Sequence, residues 1–435
     1  MKKNFSNFLV FWVLSANVGA MTFEQALRTA ESQSIDLRRA LLAAEIAQAD
    51  ARVADYEDSL KATFNASVAD YRPKDRQTIA ALANKDRVAS FTLSRSVLDF
   101  GRHTARMQQV TGTKEVKDLS AEELHDSLNY RLSRAYSLVA VTGALKTLAE
   151  GQVRVAEGRL KQQAANYRHG LRTESDWIAA QVDLGKAQIM LKKAMDDDLL
   201  NRLALARLLG MSRQEIAEAS FPFPADSSTY AAKLADRVRS WNSFLPTTTV
   251  RRLQREQLAL TAERDLMIAS KRPTLGLALV AQKAGPRDGE WNDRYTGQLT
   301  LNWDLPWTGQ SREEEQRITL RQQDVKLAIE GETQDRSDKA LNANQVFSAA
   351  ESQFRALGEQ QQLTKRLLLL VKQRYESGKA SALEVAAAES DHINNTLEQI
   401  RQLGVMIVAA IDSSEAKGEK DVGQFFSSTM GWGQD

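Results

Sequence analysis

The chain contains no cysteine, and that absence alone removes disulfides, thiolate metal sites, cysteine nucleophiles and a lipid anchor on an N-terminal cysteine. Its four histidines, His103, His125, His169 and His392, lie too far apart in sequence for metal-ligand spacing and read as solvated helix-face or tip residues. Seven prolines in 435 residues fall at 73, 222, 224, 246, 273, 286 and 306, so very long intervals run unbroken and ordinary globular domains are not expected. An excess of one charge is also missing. Charged residues make up 26% of the chain yet balance to +2, with Lys and Arg spread along it, which argues against nucleic acid as a partner. There is no phosphate-cradling glycine loop and no serine nucleophile elbow. The run Asp196-Asp197-Asp198 lacks the glycine turn and alternating ligands of a cation loop, and reads as acids on a solvated helix face. No catalytic residue, metal site or cofactor is therefore expected, and the chain is not read as an enzyme.

Long hydrophobic runs are scarce as well. Residues 1–20 read as a secretory signal: Lys2 and Lys3, the apolar run Phe8 to Leu14, then small residues at Val18-Gly19-Ala20, with maturation expected at Met21. That apolar core is far shorter than the roughly 20 residues a spanning helix needs, and no other stretch could span as a helix. An exported chain of this kind is periplasmic, extracellular, or held in the outer membrane as a β-barrel.

What the chain does have is a duplication. Tyr167-Arg168-His169-Gly170-Leu171-Arg172-Thr173-Glu174-Ser175-Asp176 returns 208 positions later as Tyr375 to Glu384, with tyrosine, glycine, hydroxyl and acid in register. Each copy joins two long periodic runs. The order suits a helix ending in the left-handed conformation at Gly170 or Gly378 and a new helix capped by Thr173 or Ser381, with Asp176 or Glu384 three residues on. Two long helical hairpins follow.

Upstream of each hairpin lies a strand pair. Lys61 to Tyr71 alternates, with Ala62, Phe64, Ala66 and Val68 opposite Thr63, Asn65 and Ser67; after a polar loop, Ala89, Phe91 and Leu93 alternate with Ser90, Thr92 and Ser94. In the second half Leu275, Leu277, Leu279 and Ala281 share one face, and after the loop containing Pro286 and Gly289, Tyr295, Leu299, Leu301 and Trp303 oppose Thr296, Gln298, Thr300 and Asn302. The return strands leave through Phe100-Gly101 and Thr308-Gly309, glycines again 208 apart. A small soluble sheet with one face on a core fits these strands as well as a barrel wall does. The barrel is favoured because nothing else in the chain could bury the apolar faces. Four strands cannot close alone, so several chains must share one barrel, and three chains would give twelve strands.

The run from about Thr104 to Asn166 amounts to some 95 Å of helix at 1.5 Å per residue. Ala121, Leu128, Ala135, Thr142, Ala149 and Ala156 recur every seven residues, and the partner run carries Ala180, Ala187 and Ala194 beside Val182 and Ile189. Small residues on more than one stripe suit packing against neighbours on both sides, as in a wide ring of helices. The expected division is a signal peptide, 1–20; a first repeat, 21–210, with β-hairpin 60–100 and helical hairpin 102–210; a mixed connector, 211–249; a second repeat, 250–414, with β-hairpin 274–304 and helical hairpin 310–414; and a flexible tail, 415–435, whose Phe425, Phe426 and Trp432 could dock.

In these features the sequence resembles the TolC-type outer-membrane efflux and secretion channels, over essentially the whole mature chain. The resemblance implies a mainly α fold with a β-barrel part: a homotrimer with a twelve-stranded barrel in outer-membrane lipid and an α-barrel of long coiled-coil hairpins reaching through the periplasm. It implies an exit duct for a tripartite efflux pump or type I secretion system, partnered by a periplasmic adaptor (membrane fusion) protein and an inner-membrane pump or ABC exporter. Adaptor contact would fall at the tips, on Gly170, Leu171, Thr173, Asp176, Gly378, Ser381, Leu383 and Glu384; Tyr167, Arg172, Tyr375 and Glu384 would form the constriction. The chain departs from the family pattern where Ala380 stands at an arginine position of the second hairpin and Ala387 at a second acid, which leaves Arg172 of the first hairpin as the candidate cation. Trp177 is either an adaptor anchor or a helix-packing residue, and Trp307 suits an interfacial aromatic belt. The competing class is a periplasmic coiled-coil scaffold or adhesion stalk with no transport role.

Overall fold

A computed structural model describes residues 21–68, 87–171, 173–224, 226–241, 244–285, 290–303 and 309–420. The proposed signal, Arg172, Pro286, Gly289, Trp307 and the aromatic tail residues lie outside the described residues. In chain order the elements are α1 (Phe23–Gln33), α2 (Ile35–Tyr56), β1 (Lys61–Val68), β2 (Arg87–Leu98), α3 (Arg102–Arg168), α4 (Glu174–Leu209), α5 (Arg213–Glu218), α6 (Ser227–Ser240), α7 (Thr248–Ser270), β3 (Thr274–Gly285), β4 (Asn292–Asn302), α8 (Gln310–Glu376) and α9 (Ala382–Lys417). The duplication shows in the lengths: α3 and α8 are each 67 residues, α4 and α9 each 36.

The chain divides into two compact units, one of Met1–Ile35, His125–Thr247 and Asp335–Asp435, the other of Asp36–Leu124 and Thr248–Gln334. The second unit holds the sheet, four antiparallel strands in the order β1-β2-β3-β4. Register sorts its side chains by face, because directly opposed residues project to the same side and successive residues to opposite sides. Phe64, Phe91, Ala281 and Tyr295 form one cross-strand row, and Ala62, Leu93, Leu279 and Gly297 the next. The alternate rows are mainly polar, as in Thr63, Thr92 and Thr296 around Val280. The apolar face lies open: Phe64 is 69% exposed, Tyr295 81% and Leu299 65%. At the loop end Arg87 stacks over Trp291, and Lys283 pairs with Asp293 at 3.3 Å.

The strand-to-helix exits differ in mechanism. Phe100 and Gly101 both take positive φ, 52° and 87°, and Asp99 accepts from the Gly101 and His103 amides at 3.1 and 2.5 Å to cap α3. Gly309 needs no such conformation; its carbonyl accepts from Arg312 and Glu313 to begin α8. The shared glycines therefore mark the same place without doing the same work. Further along, α7 is seated between α3 and α8. Arg251, Arg252 and Arg255 meet Glu122, Glu123 and Glu115 of α3 at 2.7, 2.6 and 3.4 Å, Gly112 lets Ala259 approach closely, and Leu253 and Leu260 pack on Val325 of α8.

In the other unit the core gathers where α1 and the connector meet α3. Tyr136 is fully buried, donates to the Met21 carbonyl at 2.6 Å, and stands edge-on to Phe23 and Phe221 at 5.6 and 5.3 Å. The connector, opaque in sequence, folds as α5 and α6 and is tied down by buried cations. Arg336 of α8 donates to the carbonyls of Ala416 and Leu245, and Lys417 to that of Trp241.

Two expectations are corrected here. Asp198 is not on a solvated face: it is 3% exposed, bound by Arg202 at 2.9 Å with Lys146 at 3.8 Å, while Asp196 and Asp197 are exposed. A carboxylate so placed is retained because cations meet it. The second helical hairpin also runs past the boundary expected at 414. Helix α9 runs to Lys417, ends at Gly418 with φ 77°, and the chain stays docked to 420, where Tyr130 donates to the Glu419 carbonyl and Lys420 meets Asp126 at 3.2 Å.

Candidate functional site: the paired hairpin tips

At the first tip α3 stops because Gly170 enters the left-handed region at φ 69°, where a Cβ is strained. Its amide donates to Tyr167 and the Leu171 amide to Asn166, both at 2.9 Å, the paired bonds that satisfy the last carbonyls of a helix. Helix α4 then starts on a reciprocal cap, the Asp176 amide donating to the Thr173 hydroxyl and the Thr173 amide to the Asp176 carboxylate, each at 3.3 Å. The second tip repeats every step. Gly378 has φ 75°, the Lys379 amide reaches Arg374 at 2.7 Å and that of Gly378 reaches Tyr375 at 3.0 Å. Ser381 and Glu384 exchange the same pair of cap bonds at 3.1 and 3.3 Å.

These contacts place the sequence-nominated residues. Asp176 and Glu384 each spend one carboxylate oxygen on their own helix start, so both are positioning groups for the tip before anything else. Tyr167 lies flat on Trp177, centroids 5.6 Å apart at 5°, which gives Trp177 a packing partner across the hairpin. Tyr375 packs with Val371, Ala380 and Ala388. Ala380 is 9% exposed inside that cluster, so the position an arginine holds in the resembled pattern is here part of a small apolar core. Leu171 and Leu383 face water at 71% and 63% exposure, apolar side chains at the extreme ends of the hairpins. They are not equivalent, since Leu171 follows the first glycine directly and Leu383 lies beyond the second cap.

One constellation escaped the sequence. Arg159 of α3 lies 3.5 Å from Asp183 of α4 and contacts Glu389 of α9, which Lys372 of α8 meets at 2.9 Å. All four helices of the two hairpins thus join in one ion network behind the tips, with Arg159 and Glu389 largely buried. Burial pulls the Arg159 guanidinium below its usual pKa, and Asp183 opposes that shift. No spacing signals this network, because its members are brought together only when the two repeats pack. Among the described residues no cluster of three or more His, Asp or Glu could hold a metal ion.

No protein-family model matches the chain, and no curated protein matches its sequence. Solved structures do match. The outer membrane protein VceC of Vibrio cholerae superposes with TM-score 0.73 at 18% identity, over 91% of this chain and 96% of VceC. The CmeC outer membrane channel of Campylobacter jejuni gives 0.71 at 13%, over 94% and 89%. The fold is that of the TolC-type outer-membrane channels. The open state of the Neisseria gonorrhoeae MtrE outer membrane channel gives 0.67 at 17%, over 92% and 89%. Near-complete coverage in both directions means that the channel fold takes in sheet, hairpins and connector alike.

The tip glycines carry a prediction. Around both, an added Cβ would meet open space, so the cost of Gly170→Val or Gly378→Val is backbone strain, about 1–2 kcal/mol, expressed at the tip alone. Both variants should fold as wild type does and lose no more than about 2 kcal/mol in chemical unfolding; a larger loss would show that the tips bear on more than local backbone strain.

Proposed function

We propose that this protein is an outer-membrane exit duct, a homotrimer that passes substrates delivered by an inner-membrane pump or ABC exporter through a periplasmic adaptor. One observation carries the reading. Among the described residues nothing covers the sheet's Phe and Leu rows, and the four open strands leave two unpaired edges, a state that water does not tolerate in a stable monomer. Three copies pair the edges into a twelve-stranded barrel and turn those rows to lipid. Strands of 11–12 residues in β2, β3 and β4 match the roughly 9–11 that a tilted membrane strand requires.

The helices support the same assembly. Ile178, Val182 and Ile189 on α4 and Leu363, Leu367 and Leu370 on α8 are exposed apolar stripes at helical spacing, second seams that neighbouring chains would cover. At the tips, the Arg159–Glu389 network holds the hairpins of one chain together. Adaptor contact at Gly170, Leu171, Gly378 and Leu383 would loosen a constriction built from Tyr167, Arg172, Tyr375 and Glu384. A scaffold or adhesion stalk has no use for a sheet with one lipid-like and one polar face.

Membrane fractionation followed by sedimentation in detergent tests this. The protein should sit in the outer-membrane fraction and sediment as three chains. A monomer in the aqueous periplasmic fraction would end the reading.

A further inference from the structure

The face of the sheet opposite the Phe and Leu rows is polar, and its charges have one sign. Among the described residues it presents Ser, Thr, Asn, Gln and small apolar side chains, with two ionised groups: Lys61 on β1 and Arg294 on β4. No Asp or Glu of the four strands projects to that side. Asp293, next to Arg294, alternates to the other face and pairs there with Lys283. Lys61 shares a cross-strand row with Ser94, Ala278 and Gln298, and Arg294 with Asn65, Ser90 and Gln282. The two rows are four residues apart along β3, about 13 Å at the usual rise per strand residue.

We propose that the bore enclosed by these sheets is an anion-attracting selectivity region, with Lys61 and Arg294 as its determining residues and substrates bearing phosphate, sulfate or carboxylate groups as its favoured cargo. The inference rests on the trimeric conduit proposed above. Three copies convert the two positions into two rings of three cations, one near the loop end and one near the helix end. Twelve tilted strands enclose a bore of roughly 12 Å backbone radius, so the axis lies within about one Debye length, 8–10 Å, of the charged side chains. With low-dielectric lipid outside and no acid on that face among the described strand residues to cancel them, like charges in such a wall focus the field along the axis and concentrate counter-anions. The threonine hydroxyls between the rings and the amides of Gln298, Asn65 and Gln282 beside the cations can hydrogen-bond an oxyanion without holding it permanently, as passage requires.

Full-length protein in planar bilayers, probed with inorganic tripolyphosphate, tests the assignment. Wild-type current should be blocked reversibly when the anion is added on the strand-loop side, and the half-blocking concentration should rise at least tenfold between 0.1 and 1 M KCl. Lys61→Gln with Arg294→Gln should raise it at least tenfold at low salt, and Arg294→Lys alone should keep it within threefold of wild type. Wild-type channels that conduct but ignore tripolyphosphate, or a double variant blocked like wild type, would overturn the assignment while leaving the conduit intact. Should the double variant not assemble, the wild-type block and its salt dependence decide by themselves. Protein that inserts as a trimer and never conducts, either as wild type or with the constriction residues Tyr167, Tyr375 and Glu384 replaced by alanine, would instead overturn the conduit reading.

Discussion

Replacing Leu279 by arginine should abolish the proposed trimer. Leu279 lies in the middle of the apolar face, in the row of Ala62, Leu93 and Gly297, and is 54% exposed in the single chain. A cation on a lipid-facing strand costs about 2–4 kcal/mol at the bilayer midplane, falling to about 0–1 near the interfaces. With three copies per barrel the expected penalty is on the order of 6–12 kcal/mol, comparable with the whole stability of an ordinary domain. Leu277, one row nearer the helices, is the weaker choice because Arg95 already occupies its row. The chain tolerates that natural arginine close to where an interface would lie. Thr296→Arg, in the neighbouring polar row, is the matched control and should assemble normally. Trimer yield from outer-membrane extracts reads both, and equal yields for Leu279→Arg and Thr296→Arg would mean that the two faces do not see different solvents.

That contrast was legible in sequence because strand alternation has a period of two, and the described strands keep it up to the exit end of β2, where the register shifts between Ser96 and Leu98. The tips were legible for the same kind of reason. A left-handed glycine followed by a hydroxyl and an acid at fixed spacing is local chemistry, and Gly170, Thr173, Asp176 and their counterparts Gly378, Ser381 and Glu384 form the bonds that spacing suggests. What sequence did not reveal is chemistry between distant segments. Arg159 and Glu389 are 230 positions apart, and each looks like any helical charge until the repeats pack. The connector was hidden for a related reason, since α5 and α6 are short: Arg202 of the preceding helix holds the end of α5 at Ala219, and the carbonyls of Trp241 and Leu245 are held by Lys417 and Arg336, cations far away in the chain. Asp198 misled because an acidic run signals solvent, whereas burial of its last member is set by residues on α3.

The burial of Asp198 leads to the second large effect, expected for Arg202→Ala. Arg202 makes four contacts at once: Nε donates to Asp198 at 2.9 Å, one terminal nitrogen donates to the carbonyls of Ile216 at 2.9 Å and Ala219 at 2.7 Å, and the guanidinium lies over the Phe221 ring at 5.3 Å. Phe221 in turn supports Tyr136, whose hydroxyl holds the backbone at Met21. Truncation would strip the carboxylate of its nearest cation, leaving Lys146 at 3.8 Å, and would orphan the carbonyls at the end of α5. Removing one partner of a buried ion pair costs about 3–5 kcal/mol, and the remaining lysine argues for the lower end. Arg202→Lys should recover only part of the loss, because an ammonium keeps the charge but not the planar fork that reaches three acceptors. Asp198→Asn with Arg202→Met, which removes both charges together, should be milder than Arg202→Ala alone. Chemical unfolding of the detergent-solubilised protein measures all three. An Arg202→Ala protein within about 0.5 kcal/mol of wild type, the range of an ordinary surface change, would show that the connector does not depend on this cation.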